Sequence, residues 1–183
     1  MNKIKFFLIW IFGFFLLLLC PFISSANQDD LHTAESFLDA FYTFDQSKLA
    51  RFLAPNADAD RVLYYQAWAQ AANYKVKQRT PCALNVSKAI VCAVTVTDDF
   101  GQTMGYVATD TFTMTIQENK VSAISFEGDD PPIFQQLFAW IAENRPEILE
   151  GPCKDLFAGG NTPGTCAHAV VAAAREFVAL SDT

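Results

Sequence analysis

The spacing of the hydrophobic residues changes once along this chain, and that change restricts the fold more than any other feature. Before residue 72 apolar side chains recur every three or four positions, and from Tyr74 they alternate with polar ones. Leu31, Ala34, Leu38 and Phe41, with Phe37 and Phe44 beside them, predict a helix that starts at an Asp29 or Asp30 cap and runs to about residue 44. A second, over 46–53, follows Asp45 and stops before Pro55, and a third follows Asp60 with Leu63, Tyr64, Ala67, Trp68 and Ala71 as its stripe. Strands are then expected over 74–84, 89–97, 103–116 and 121–127. Asp98-Asp99-Phe100-Gly101 and Gln117-Glu118-Asn119-Lys120 supply turns between them. Helices first and an antiparallel meander second make an α+β domain.

A helical tail follows the meander. Pro131 and Pro132 suit the first turn of a helix capped by Asp129 or Asp130, and Ile133, Phe134, Leu137, Phe138, Trp140 and Ile141 give its apolar stripe until Pro146. Residues 151–164 form a Gly- and Pro-rich connector, and a last helix spans 167–180. The body, residues 27–183, is therefore one domain, with 131–183 as a helical extension.

The amino terminus is of a different kind. A cationic start with Lys3 and Lys5 precedes an uncharged apolar run from residue 6 to 19, and Ser24 and Ala26 stand three and one positions before a cut after Ala26. That is a secretory signal. The competing reading is an uncleaved anchor over 6–23, at the lower edge of what spans a bilayer, and a third is lipidation of Cys20, where Leu19 is a poor match. All three put the body outside the cytoplasm, secreted, periplasmic or tethered to the membrane by this segment alone. Cysteine usage agrees: the body keeps Cys82, Cys92, Cys153 and Cys166, an even number that reads as two disulfides in an exported chain. With a turn centred on Ser87, residues 82 and 92 lie opposite each other on neighbouring strands, which favours 82 with 92 and leaves 153 with 166 to bracket the connector. Zinc is the alternative, but no CxxC pair exists and the sequence offers only two histidines, His32 and His168. Asn85-Val86-Ser87 fits a glycosylation acceptor, which matters only in a eukaryotic secretory route.

Without the leader the body holds 11 basic and 20 acidic residues, a net −9. No basic stripe is present, and a phosphate-backbone partner needs one. A Gly-rich phosphate loop, a Gly-x-Ser-x-Gly elbow and a His-Glu-x-x-His pair are all missing from the sequence.

Three amphipathic helices followed by a curved antiparallel meander resemble the nuclear transport factor 2-like superfamily, which includes SnoaL-like polyketide cyclases, ketosteroid isomerases and scytalone dehydratase. The best local match is the segment Thr111-Phe-Thr-Met-Thr-Ile-Gln-Glu-Asn-Lys-Val-Ser-Ala-Ile, similar to that family's penultimate strand, tight polar turn and last strand. The likeness covers about residues 30–127. It implies a cone-shaped sheet wrapped on the N-terminal helices, a pocket between them, and a homodimer through the sheet's other side. Two departures stand out: residues 55–60 are short where many members insert a small hairpin, and the helical extension is added.

Asp110 is the residue with the sharpest chemical reading. Alternation puts it with Ala108, Phe112, Met114 and Ile116 on a mostly apolar face, where burial destabilises the charged carboxylate and makes a general acid or base. The structural alternative is that the strand's face is reversed or its end exposed. Tyr64, Tyr65 and Trp68 lie on the third helix, which in the resembled fold lines the pocket mouth; a phenol there, Tyr64 first, could donate to a developing oxyanion, or all three could be core. Gln78 shares an apolar strand face and could orient a polar ligand group, or meet water at a strand end. Tyr106 faces the same way as Asp110. The acidic pairs at 98–99 and 129–130 lack a calcium-loop pattern and read as turn and cap residues.

The sequence thus leads to an exported small-ligand-binding or accessory protein with a SnoaL-like pocket lined by Trp68, Tyr106, Gln78, Phe112 and Met114. Two alternatives stand beside it. One is a cyclase, isomerase or dehydratase that needs no cofactor and uses Asp110 with Tyr64; the other is a protein-interaction module. The expected ligand is a small apolar molecule, with no metal and no cofactor.

Overall fold

The computed structural model describes residues 25–156 and 163–181. Residues 1–24 fall outside it, and with them the signal, anchor and lipidation readings, as does the middle of the 151–164 connector. Among the described residues no helix is long and apolar enough to cross a membrane.

Three helices open the domain: α1 (Ser25–Tyr42), α2 (Gln46–Phe52) and α3 (Ala59–Ala71). The first begins four or five residues before the expected Asp29 or Asp30 cap, with neither aspartate in its first turn. Asp45 caps α2 by accepting from the Lys48 N–H at 2.9 Å, and Asp58, not Asp60, caps α3 through the Arg61 N–H at 3.2 Å.

The sheet is five-stranded, antiparallel and open, so the fold is mixed α+β. Its strands are β1 (Lys75–Arg79), β2 (Ala83–Leu84), β3 (Ile90–Thr97), β4 (Ala108–Gln117) and β5 (Lys120–Gly128). The order is β1-β3-β4-β5, and β2 also pairs with β3. The single strand expected over 74–84 is two short ones. Pro81 interrupts the ladder because it has no N–H to give, and a register shift falls between Val76 and Gln78. The shift has a consequence for side-chain direction: Gln78 comes opposite Thr95 and Arg79 opposite Val94. Since residues directly opposite share a face, Gln78 turns to the outer face and Arg79 to the inner one. There the Arg79 guanidinium pairs with Glu35 and Asp39 of α1 and ties the edge strand to the helix.

Two further expectations are corrected. Residues 99–104 form a short helix, α4 (Asp99–Met104), capped by Asp98 through the Gly101 N–H at 2.6 Å and ended by Gly105 at φ 78°. The long strand therefore starts at Ala108 rather than 103. At the next reversal Glu118 and Asn119 both take positive φ, 51° and 57°, the two-residue hairpin geometry that matches strand twist.

The helical tail comprises α5 (Pro132–Asn144), α6 (Pro146–Glu150) and α7 (Pro163–Ser181). Asp129 does not cap α5; it accepts from the Thr109 N–H, and Pro131 occupies the cap position without a side-chain bond. Pro146 both ends α5 and starts α6, its fixed φ suiting a first helical position. Disulfides join Cys82 to Cys92 and Cys153 to Cys166, as expected; both are compatible with an oxidising compartment.

Two apolar clusters result. One packs Phe37, Leu38 and Phe41 of α1 onto Ile90, Val94, Phe112 and Met114 of the sheet. The other gathers Trp68, Phe100, Phe134, Leu137 and Val170 from α3, α4, α5 and α7, with the Cys153–Cys166 bond at its border. Gln66, fully buried, joins α3 to the end of α1 by donating to the Ala40 and Phe41 carbonyls at 2.9 and 3.2 Å. Those carbonyls lie in the last turn of α1, where intrahelical donors run out.

Candidate functional site

The seam between the two clusters is hollow. Two adjoining cavities, of about 370 and 200 Å³, share Phe41, Tyr65 and Phe126 as walls. Tyr65 and Phe126, tilted with ring centroids 4.8 Å apart, border both hollows; the larger is termed the outer and the smaller the inner. The outer one opens between polar residues, Asp58, Arg61, Ser125 and Glu127, and reaches Phe112 at its base. Trp68, Tyr74, Phe100 and Phe134 line the smaller one together with two carboxylates, Asp110 and Asp130.

Asp110 sits on β4, where the alternation Ala108, Asp110, Phe112, Met114 faces inward. It is 3% exposed, so the alternative of a reversed face or an exposed strand end is excluded. The Tyr42 hydroxyl donates to its Oδ2 at 2.6 Å. The other oxygen, Oδ1, is the one nearer Gly128, which borders the smaller cavity together with Asp110. Burial lifts the Asp110 pKa from 3.8 to about 7; the Tyr42 bond opposes this rise, and the charges of Asp130 and Asp129 reinforce it. The Tyr42 phenol is in turn held far above its usual range, first by burial and then by the Asp110 charge, and stays a donor.

Gly128 stands opposite Asp110 on β5. A Cβ built there would come 3.3 Å from Asp130 Oδ2 and 3.9 Å from Asp110 Oδ1. The two carboxylates thus converge on one backbone position, and the missing side chain keeps the space between them open. Asp130 stands at the exposed rim, and its pKa is raised by partial burial and by Asp129. Behind the wall, Asp98 is pushed up to about 7 by burial, against the pull of its bond to the Gly101 N–H. Tyr74 is raised well above the normal phenol value by burial, with Asp110, Asp98 and Asp130 adding to it. No family model and no curated protein matches this chain.

Not every candidate reaches this place. Trp68 lines the inner cavity and Phe112 the outer. Met114 is fully buried in the sheet-side core and touches neither hollow. Gln78 is exposed on the outer face of β1, carried there by the register shift. Tyr64 borders neither cavity and packs edge-on against Tyr65 at 6.1 Å. Tyr106 precedes β4 instead of lying in a strand; its ring faces Phe100 at 6.5 Å, and its hydroxyl is buried without a hydrogen bond among the described residues.

Of the two adjacent phenols on α3 it is Tyr65 that borders both cavities: it stands three positions from both Val62 and Trp68, which are buried, so helical phase turns it inward and Tyr64 aside. Tyr42, Tyr74 and Asp130 are not among the residues that the sequence offers for the site. For Tyr42 no signal existed, because its partner is 68 positions away. Among the described residues no group of His, Cys, Asp and Glu has the arrangement to hold a metal ion.

Proposed function

We propose that this is an exported, SnoaL-like protein whose inner cavity performs proton transfer on a small, largely apolar molecule, in the manner of an isomerase, cyclase or dehydratase. One observation carries the reading: a carboxylate 3% exposed borders an aromatic cavity with one oxygen fixed by a phenol and the other on the side of Gly128, which lines the same cavity. With a pKa of about 7, Asp110 is divided between acid and base near neutral pH, where a group exchanging protons in both directions is most effective. Tyr42 fixes the carboxylate's orientation. Tyr74, kept protonated and bordering the same space, would donate to negative charge developing on a substrate oxygen, in place of the role expected of Tyr64. A cone-shaped wrapping of the sheet on the N-terminal helices belongs to this proposal, as does export, which the two disulfides support.

A noncatalytic binding module is the second reading, favoured by the Tyr42 bond, which satisfies part of the carboxylate without any ligand. A carboxyl NMR titration tests the premise of the first: Asp110 should titrate near neutral pH, and an ordinary aspartate midpoint defeats proton transfer. Exchange of α-protons from a panel of cyclic ketones into deuterated water then separates the two. Exchange that disappears in Asp110→Asn supports catalysis, whereas binding without exchange supports the module.

A further inference from the structure

The walls of the inner cavity say more about the ligand than that it is small. Trp68, Tyr74, Phe100 and Phe134 surround a space of about 200 Å³, and the polar side chains that border it are Asp110 and Asp130. Trp68 and Phe100 lie 6.2 Å apart between centroids, and Phe100 and Phe134 5.9 Å, at tilted angles. Among the described residues no Lys, Arg or His lines this cavity; Arg61 belongs to the outer hollow, over the Tyr65 ring at 5.7 Å, and Arg79, whose charge reaches Tyr42, pairs with Glu35 and Asp39.

Ring faces carry negative electrostatic potential and attract a cation held over them. Asp110, 3% exposed, lines the same space, with Oδ2 held by Tyr42 and Oδ1 on the side of Gly128. Asp130 Oδ2 approaches it from the rim across Gly128. A neutral ligand would meet the rings and leave the carboxylates, when ionised, without a counter-charge. A compact organic cation meets both sets of groups together: its charge pairs with the carboxylates and its alkyl surface meets the rings. A metal ion would leave the aromatic wall without a role, and an anion would be repelled.

We infer that the inner cavity binds a small organic cation, a protonated amine or quaternary ammonium group seated among Trp68, Tyr74, Phe100 and Phe134 with Asp110 and Asp130 as counter-ions. This rests on the reading of the cavity as the functional site and adds the charge of the substrate. It also gives Asp130 a part beyond that of a loop residue, and explains the value of a glycine at 128.

Calorimetric titration of the purified protein, with both disulfides intact, compares choline with its uncharged analogue in which a tert-butyl group replaces the trimethylammonium. The expected result is a preference for choline of roughly tenfold or more, as for a desolvated cation over aromatic rings, together with a shift of the Trp68 indole resonance. Asp130→Asn, a rim substitution, should cut that preference several-fold while leaving the uncharged analogue's affinity unchanged; Asp110→Asn should do the same from the buried side. The inference is overturned if the analogue binds as tightly as choline, if neither binds, or if the preference survives in both variants, since diffuse attraction to an acidic protein would behave that way. An ordinary Asp110 titration in the ligand-free protein would defeat proton transfer without removing cation preference, so the two proposals fail separately.

Discussion

Replacing Asp110 by Asn should stabilise the protein at neutral and alkaline pH, and the gain can be worked from the site. The carboxyl is 3% exposed and its pKa rises from 3.8 to about 7 in the folded chain. Between these two values the unfolded chain has lost the proton that the folded chain retains. Because the native state then binds more protons, stability falls as pH increases through this window and levels off above it. The separation corresponds to about 4 kcal/mol between the acid and alkaline limits. Asn keeps an acceptor for the Tyr42 hydroxyl and cannot ionise, so its stability lacks this decline. Urea denaturation of both proteins from about pH 4 to about pH 8 should give curves whose difference widens by that amount in favour of Asp110→Asn. Asp98, also raised to about 7, titrates in both proteins; its rise comes first from burial and only last from the Asp110 charge, so most of its contribution is common to the two curves. Parallel curves would refute the view that burial controls this carboxylate.

Three further outcomes follow from the packing. Tyr42→Phe removes a hydrogen bond that favours the ionised carboxylate, so Asp110 should titrate at still higher pH by NMR; a fall would mean that water or another donor replaces the phenol. Gln66→Met keeps the side chain's length but withdraws its donors from the Ala40 and Phe41 carbonyls, and should cost about 1–3 kcal/mol in chemical denaturation. Relief of the unpartnered Gln66 Oε1 works against that loss, so a stabilised variant would show that the oxygen's burial outweighs the two bonds. Replacing Cys153 and Cys166 together by Ser removes the bond that closes residues 153–166, and a loop of this size implies a loss of about 3 kcal/mol. An unchanged melting temperature would mean that α7 is held by its packing on α3 and α4 alone.

Features written in short stretches of sequence were legible before any coordinates. Helical spacing placed the three opening helices and α7, and Asp45 marked the start of α2. The polar run 117–120 became the β4–β5 hairpin because its two central residues tolerate positive φ. Even the pairing of Cys82 with Cys92 could be read, since a turn between strands ten residues apart fixes which positions face each other. Alternation grouped Asp110 with Ala108, Phe112 and Met114, and the structure shows that this face is the buried one.

What failed was whatever depended on phase or partners beyond the local window. The shift between Val76 and Gln78 exchanged the faces of Gln78 and Arg79, and no alternation pattern records where a strand slips. Residues 99–104 became a helix under a second core built from distant elements, with Asp98 as its cap. The cavity itself is a tertiary product: Phe41, Trp68, Asp110 and Phe134 come from four elements and meet only where two apolar clusters fail to close on each other. Sequence alone put an acidic residue in a strand, on the face that alternation shares with Ala108, Phe112 and Met114. Only the folded chain decided that this face is buried, that a phenol 68 residues away would hold one of the carboxylate's oxygens and that rings from several helices would line the cavity beside it, because those neighbours are selected by helix packing and not by spacing along the chain.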